Sequence, residues 1–248
     1  MISLGTQLAE GKTKIIYAHP ADAALAIMAH KDGITAGDGA RRNTILGKGV
    51  LSGRTTANVF ALLERHGIAT HFIEASEPML MVVRRCAMIP LEVVTRRVAT
   101  GSYLKRHGDV IEGTRFDPPL VEFFLKDDAN HDPLISRAQI VAQGVAPAAD
   151  VAAMHARALA VFAVLEAAWA THDVLLCDLK IEFGRTVAGE LLVADVIDND
   201  SWRIWPGGDK TRMLDKQVYR NMSEVTDAGL DAIRARYAQV AAMTDAWR

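Results

Sequence analysis

The sequence predicts a mixed α and β chain of two lobes, and three observations carry that expectation. Residues 174–183 alternate with period two, as a strand does when successive side chains point to opposite faces. Residues 147–170 repeat apolar side chains at three- and four-residue spacings, the pattern of a helix with one buried stripe. Between the strand-like runs 79–86 and 91–99 stands Met88-Ile89-Pro90, a candidate hinge that divides a β-rich lobe, residues 1–86, from an α+β lobe, residues 87–248.

The elements follow in chain order. Residues 11–18 read as a strand entered through Gly11, with Lys12 and Lys14 on one face, and residues 24–29 supply its hairpin partner. Residues 32–42 hold three glycines in seven positions, Gly33, Gly37 and Gly39, which predicts a loop with unusual backbone angles or close approach to a ligand. The loop fits neither the P-loop nor the dinucleotide pattern, and a plain flexible loop has the same composition. Residues 52–66 read as a helix capped by Ser52, with Val59, Leu62, Leu63 and His66 as its stripe and Gly67 as its stop.

Thr100-Gly101-Ser102 follows the strand that carries Arg96 and Arg97. It suits either an anion-cradling turn or an ordinary one. Pro118-Pro119 stiffens the approach to a strand at 121–125, and the acidic stretch 126–133 reads as a loop in which His131 is assigned no chemistry. Pro147 opens the long helix, whose stripe of Val151, Met154, Ala158, Phe162, Leu165 and Trp169 is core. The tail from Asp215 is mostly helical, with Lys216 and Arg220 four apart on one face.

Composition narrows the function. Net charge is −2 and the pI near 6.4, which argues against a nucleic-acid binder acting through bulk positive charge. The N-terminus lacks a basic region followed by an apolar stretch, and residues 158–170 are too short and too interrupted by Glu166 to span a bilayer, so the expectation is a cytoplasmic protein without a membrane partner. Cys86 and Cys177 lie in apolar runs with no Cys or His at metal-ligand spacing, which predicts two buried thiols in a reducing compartment rather than a disulfide or zinc site.

The chemistry concentrates at residues 174–203. Asp178, Lys180 and Glu182 share one face of their strand while Leu179, Ile181 and Phe183 share the other, and a second strand at about 190–197 carries Asp195. Charges on an otherwise apolar strand are costly to bury without partners. The set suits a magnesium–phosphate site, since a hard cation takes carboxylate and phosphate oxygens, and it equally suits a salt-bridge ladder on a hairpin.

Six segments then occur in a fixed order: Gly11-Lys12-Thr13-Lys14, residues 34–41, residues 98–106, residues 123–133, residues 178–184 and residues 194–203. Together they resemble the SAICAR synthetase family of purine synthesis, and the resemblance runs from about residue 10 to about residue 240. It implies an α+β fold similar to the ATP-grasp enzymes, with nucleotide between two lobes. It implies a ligase that joins L-aspartate to the carboxylate of carboxyaminoimidazole ribonucleotide (CAIR), with ATP as co-substrate and Mg2+ as cofactor. The partners would be these small molecules, with a homodimer left open.

The residues implied are specific. Lys12, Lys14, Met88, Lys126, Glu182 and Asp195 would serve ATP, with Glu182, Asp195 and Asp132 at the metal. Arg96, Ser102, Asp178, Lys180 and Arg203 would hold CAIR, with Lys180, Asp178 and Arg96 catalytic. The aspartate site is expected at Thr35, Gly37, Asp38 and Arg41, or at Lys216 and Arg220. Residues 196–202 depart from the common bacterial pattern and look more like animal members. Two other classes compete: a small-molecule kinase of similar fold, and a nucleotide-binding regulatory module without catalysis.

Overall fold

The computed structural model describes residues 2–37 and 39–248. Strands β1 (Gln7–Glu10), β2 (Lys14–Ala18) and β3 (Leu25–His30) begin an antiparallel sheet. β1 is exposed throughout and carries no alternation, which is why the sequence pattern misses it. The Gly11 N–H donates to the Lys14 carbonyl at 2.9 Å and closes the β1–β2 turn. Lys12 therefore lies in a turn, and the expected strand face shared with Lys14 does not exist.

The glycine-rich stretch is a hairpin of β4 (Gly33–Ala36) and β5 (Arg41–Thr44), not a loop. Its tip bears out the expected backbone, with Gly37 at φ 58° and Gly39 at φ 91°. Helix α1 (Lys48–Arg65) starts four residues before the expected Ser52. The Asp32 carboxylate accepts from the Gly47 and Gly49 N–H groups at 3.1 and 2.8 Å, so a distant side chain satisfies the helix start and Ser52 is buried inside it. Gly67, at φ 74°, ends the helix as expected. β6 (Phe72–Glu77) and β7 (Leu80–Arg84) complete the first sheet in the order β1–β2–β3–β7–β6.

β8 (Cys86–Val98) runs straight through Met88-Ile89-Pro90, so the expected break is a strand interior. Its register with β11 shifts between Glu182 and Gly184, opposite Pro90, which has no N–H to give the ladder. After helix α2 (Ser102–Arg106), β9 (Arg115–Leu125) takes in both Pro118 and Pro119. β10 (Leu134–Ile135), α3 (Arg137–Ala142) and α4 (Ala148–Ala170) follow. β11 (Val174–Thr186) pairs with β8 along one edge, while β12 (Leu191–Ala194) and β13 (Trp202–Pro206) share the other. The second sheet is antiparallel in the order β10–β9–β8–β11–β12.

α4 lies across β8, β9 and β11 and buries the whole expected stripe. At 23 residues, with an 18-residue window of mean hydropathy 1.6, it is long and apolar enough to cross a membrane by length and composition, so the shorter segment read from sequence understates it. Among the described residues its apolar stripe packs into the same core that takes Leu179, Ile181 and Phe183. Helices α5 (Gln217–Asn221) and α6 (Asp227–Thr244) close the chain. Lys216 caps α5 rather than sitting within it. α6 packs on α1, joining the last part of the chain to the first. Both cysteines are free thiols as expected, but only Cys177 is buried; Cys86, near the start of β8, is half-buried.

Candidate active site

The β8–β11 register builds a charged floor. Asp178, Lys180 and Glu182 stand opposite Arg96, Val94 and Glu92, while β13 brings Arg203 opposite Asp178. The Arg96 guanidinium is only 2% exposed and donates to three oxygens. These are Glu122 Oε2 at 2.7 Å, Asp178 Oδ2 at 2.8 Å and Ser102 Oγ at 3.2 Å. Arg203 forms an ion pair with the same Asp178 oxygen, and that carboxylate, outweighing burial, holds Arg203 above its ordinary pKa. Gly101 sits at φ 58°, and a Cβ there would strike the Arg203 guanidinium, so glycine is required both by angle and by space.

Lysines knit the second half of the floor. Lys180 Nζ reaches Glu182 Oε1 at 2.7 Å and Glu92 Oε1 at 3.2 Å, and Lys126 Nζ takes the other Glu182 oxygen at 2.7 Å. Burial would lower the Lys180 pKa, but Glu182, Glu92 and Asp195 outweigh it and keep the ammonium charged well above its usual range. Lys126 is raised on the same balance, with Glu182 as the dominant partner.

Asp195 lies one residue past β12, not on a strand as expected, at φ 68°. That left-handed conformation costs a non-glycine residue about 1 kcal/mol, aspartate tolerating it better than most. Its carboxylate pairs with Lys14. Burial would raise the Asp195 pKa, yet Lys14, Lys180 and Lys126 hold it below the usual carboxylate range.

The wall beyond is a turn that the sequence reading left without roles. Asp200 accepts from Lys216 Nζ at 3.0 Å and from the Tyr237 hydroxyl, with Lys48 Nζ at 3.7 Å. Against burial, Lys48 and Lys216 keep Asp200 below the carboxylate range, whereas burial and the neighbouring Asp200 push Asp198 up. Tyr237 comes from α6 and Lys48 opens α1, so no local pattern could have announced them. Glu92 could have been found, because it shares the period-two face of Arg96.

These parts enclose a cleft of about 410 Å³. Lys12, Thr35 and Gly37 line it from the β1–β2 turn and the β4–β5 hairpin; Arg96, Ser102, Asp178, Lys180 and Arg203 form its floor; and Asp132, Asp195, Lys216 and Arg220 complete the wall. It continues into a wider groove of about 860 Å³ that shares Gly37, Ser102, Arg203 and Arg220. Lys14, Lys126 and Glu182 lie outside the lining, each held by an ion pair named above. Met88 lies outside the lining and is 45% exposed. Asp38 falls outside the described residues.

Arg41 faces the wider groove, where its Nη1 donates to the carbonyls of Tyr219 and Met222 at 3.0 and 2.8 Å. Among the described residues no three His, Cys, Asp or Glu side chains converge as metal ligands, so Glu182, Asp195 and Asp132 do not form a ready-made trio. Each is already engaged: the first two with lysines, and Asp132 with the Asp127 N–H at 2.7 Å.

Residues 7–235 match the family model described as SAICAR synthetase. The phosphoribosylaminoimidazole-succinocarboxamide synthase of Roseiflexus sp. (strain RS-1) is 68% identical over 246 residues, 99% of each chain. The crystal structure of the synthase of that name from Ehrlichia chaffeensis superposes with a TM-score of 0.88 at 29% identity, covering 97% of this chain and 98% of its own. A SAICAR synthetase (Type-2) solved in complex with ADP gives a TM-score of 0.82 at 35% identity over 93% of this chain and 97% of its own. On sequence and fold the chain belongs to the SAICAR synthetase family.

Proposed function

We propose that this cleft joins L-aspartate to the carboxylate of CAIR, consuming ATP and releasing SAICAR, ADP and phosphate. Family membership supports the reaction. The observation that carries it is the convergence of Arg96, Asp178, Lys180, Asp195 and Arg203 with Lys12 around one cleft.

A carboxylate resists an amine because it has no leaving group. An oxygen of the CAIR carboxylate attacks the terminal phosphorus of ATP, ADP departs, and an acyl phosphate results. The aspartate amine, having lost a proton, then attacks the acyl carbon and phosphate leaves. The first step brings anions together, so positioning and electrostatics limit it. Lys180 stays protonated and serves as fixed positive charge beside the phosphoryl acceptor, not as a base. Arg203, with Ser102 and Arg96, suits the phosphate and carboxylate ends of CAIR, because a guanidinium forks onto either. Asp178, clamped by both arginines, sets their orientation.

ATP would lie between the two lobes, 1–86 and 87–248, with Lys12, Lys14 and Lys126 toward its phosphates and Met88 by the base. Support comes from the solved relative in complex with ADP. Mg2+ fits the donor set without a third ligand, since it is commonly bound by one or two carboxylates plus phosphate oxygens and water. Glu182 pairs in register with Ala194, next to Asp195, so the two carboxylates would hold it, with Asp132 further out. When bound it would offset phosphate charge.

The aspartate co-substrate would enter at the mouth formed by Thr35 and Gly37 on one side and Lys216 and Arg220 on the other. Arg41 ties those two sides together, so the loop and helix placements describe one mouth. Asp38 would receive the ammonium group. The work needs no nucleic acid or membrane, fits a cytoplasmic enzyme, and is compatible with a monomer or homodimer. The test is ADP release with each co-substrate omitted in turn. Release should require both CAIR and L-aspartate; undiminished release without aspartate would indicate a kinase instead.

A further inference from the structure

His71 has no part in the chemistry above, yet its side chain ends at Asp195. Residues 69–71 run beside β12 as a short parallel bridge between Thr70 and Val193. The Val193 N–H donates to the Ala69 carbonyl at 3.2 Å, and the His71 N–H donates to the Val193 carbonyl at 2.9 Å. In a regular parallel ladder the next bond would run from the Asp195 N–H to the His71 carbonyl. That carbonyl is taken: it accepts from the Arg84 N–H at 2.6 Å. The Asp195 N–H turns instead to the imidazole, donating to His71 Nδ1 at 3.1 Å.

The ring thus stands in for a missing carbonyl at the residue whose backbone is left-handed. His71 is 3% exposed and its ring meets Phe60 edge-on at 5.2 Å. The strap that carries it is itself anchored. Glu64 Oε1 accepts from both the Thr70 N–H at 2.7 Å and the Thr70 hydroxyl at 2.9 Å. Because Nδ1 accepts, the ring proton sits on Nε2.

We propose that His71 is a positioning residue for the ligase: its Nδ1 fixes the Asp195 backbone so that the carboxylate is aimed at the metal–nucleotide end of the cleft. The inference rests on the reading of Asp195 as a carboxylate of that site. Groups that orient such carboxylates are worth tenfold or more in metal affinity.

The test measures Mn2+ binding to the full-length chain in the presence of ADP by titration calorimetry, alongside the Mg2+ dependence of turnover. His71→Leu removes the acceptor, whereas His71→Asn puts an amide oxygen near the position of Nδ1. His71→Leu should weaken Mn2+ binding about tenfold and raise the Mg2+ requirement, with the CAIR requirement unchanged. His71→Asn should recover most of that loss. Wild-type Mn2+ affinity in folded His71→Leu, or no recovery in His71→Asn, would overturn the proposal. Asp195→Asn separates the two readings: if it binds Mn2+ normally, the assignment of Asp195 fails, and if it alone loses Mn2+, only the role of His71 fails. Should His71→Leu not fold, the wild-type chain decides by nitrogen NMR of its histidines. An Nε2–H tautomer at His71 supports the proposal and an Nδ1–H tautomer overturns it.

Discussion

The floor of the cleft and the turn that follows β12 both present carboxylates, and they hold them by different means. On the floor, Asp178 and Glu182 are placed by strand alternation and by the register of three antiparallel strands. In the turn, Asp195 and Asp200 are held by side chains borrowed from far along the chain: His71, Lys14, Lys48 and Tyr237. A floor built from ladder geometry should tolerate distant change, and a turn built from tertiary contacts should not.

The largest effect is expected on the floor, at the chemistry itself. Glu182→Gln keeps the shape and removes one charge beside Lys180 and Lys126, and should lower turnover about a thousandfold while thermal unfolding shows an intact fold. Turnover near that of the unaltered chain at limiting Mg2+ would remove Glu182 from the site.

Acid should strike the turn's side of the molecule. Burial, with Lys14 and Lys48 nearby, lowers the His30 pKa to about 4, and burial lowers that of His71 to about 3. In the unfolded chain both return to about 6.5, so between these values the unfolded state binds more protons. Their contribution is complete above about pH 6.5 and is lost as pH falls. By pH 5.5 each histidine should cost about 1.4 kcal/mol, about 3 kcal/mol together. Urea unfolding at pH 7.5 and 5.5 measures it; equal stability at the two would mean that the rings are not held neutral.

Lys48→Met tests the borrowed contacts directly. Lys48 is 1% exposed and its ammonium also lies 5.0 Å from the centre of the Tyr237 ring. Leaving Asp200 to Lys216 and the Tyr237 hydroxyl should cost about 2 kcal/mol in denaturant unfolding, less than breaking an isolated buried pair. A change below about 0.5 kcal/mol would make the turn as self-sufficient as the floor. The smallest effect is expected for Arg203→Lys, which keeps the charge but loses the fork. It should raise the CAIR requirement about tenfold and leave the ATP requirement alone, and unchanged CAIR dependence would return Arg203 to a packing role.

The same contrast explains what was legible beforehand. Alternation at 174–183 placed the floor residues on their face because period two is a local property of a strand. The α4 stripe was legible for the same reason. Asp195 was found but set on a strand, since its left-handed turn depends on His71, 124 residues away. The start of α1 was misplaced because its cap is Asp32, outside any local capping pattern. β1 has no buried face, and so no pattern to read. Tyr237 and Lys48 meet Asp200 only after α6 has packed on α1, which no spacing announces.

Arg41 carries a consequence for traffic. Its guanidinium reaches from the β4–β5 hairpin to two carbonyls at the end of α5 and covers the Tyr219 ring at 5.7 Å from its centre. Hairpin and helix are latched, so neither side of the entrance swings alone. Bonds from a charged donor are worth about 1.5–3 kcal/mol each, enough to make unlatching a slow event beside side-chain rotation. The spacing of hairpin and helix at that rim is thus held by one guanidinium outside the reacting groups.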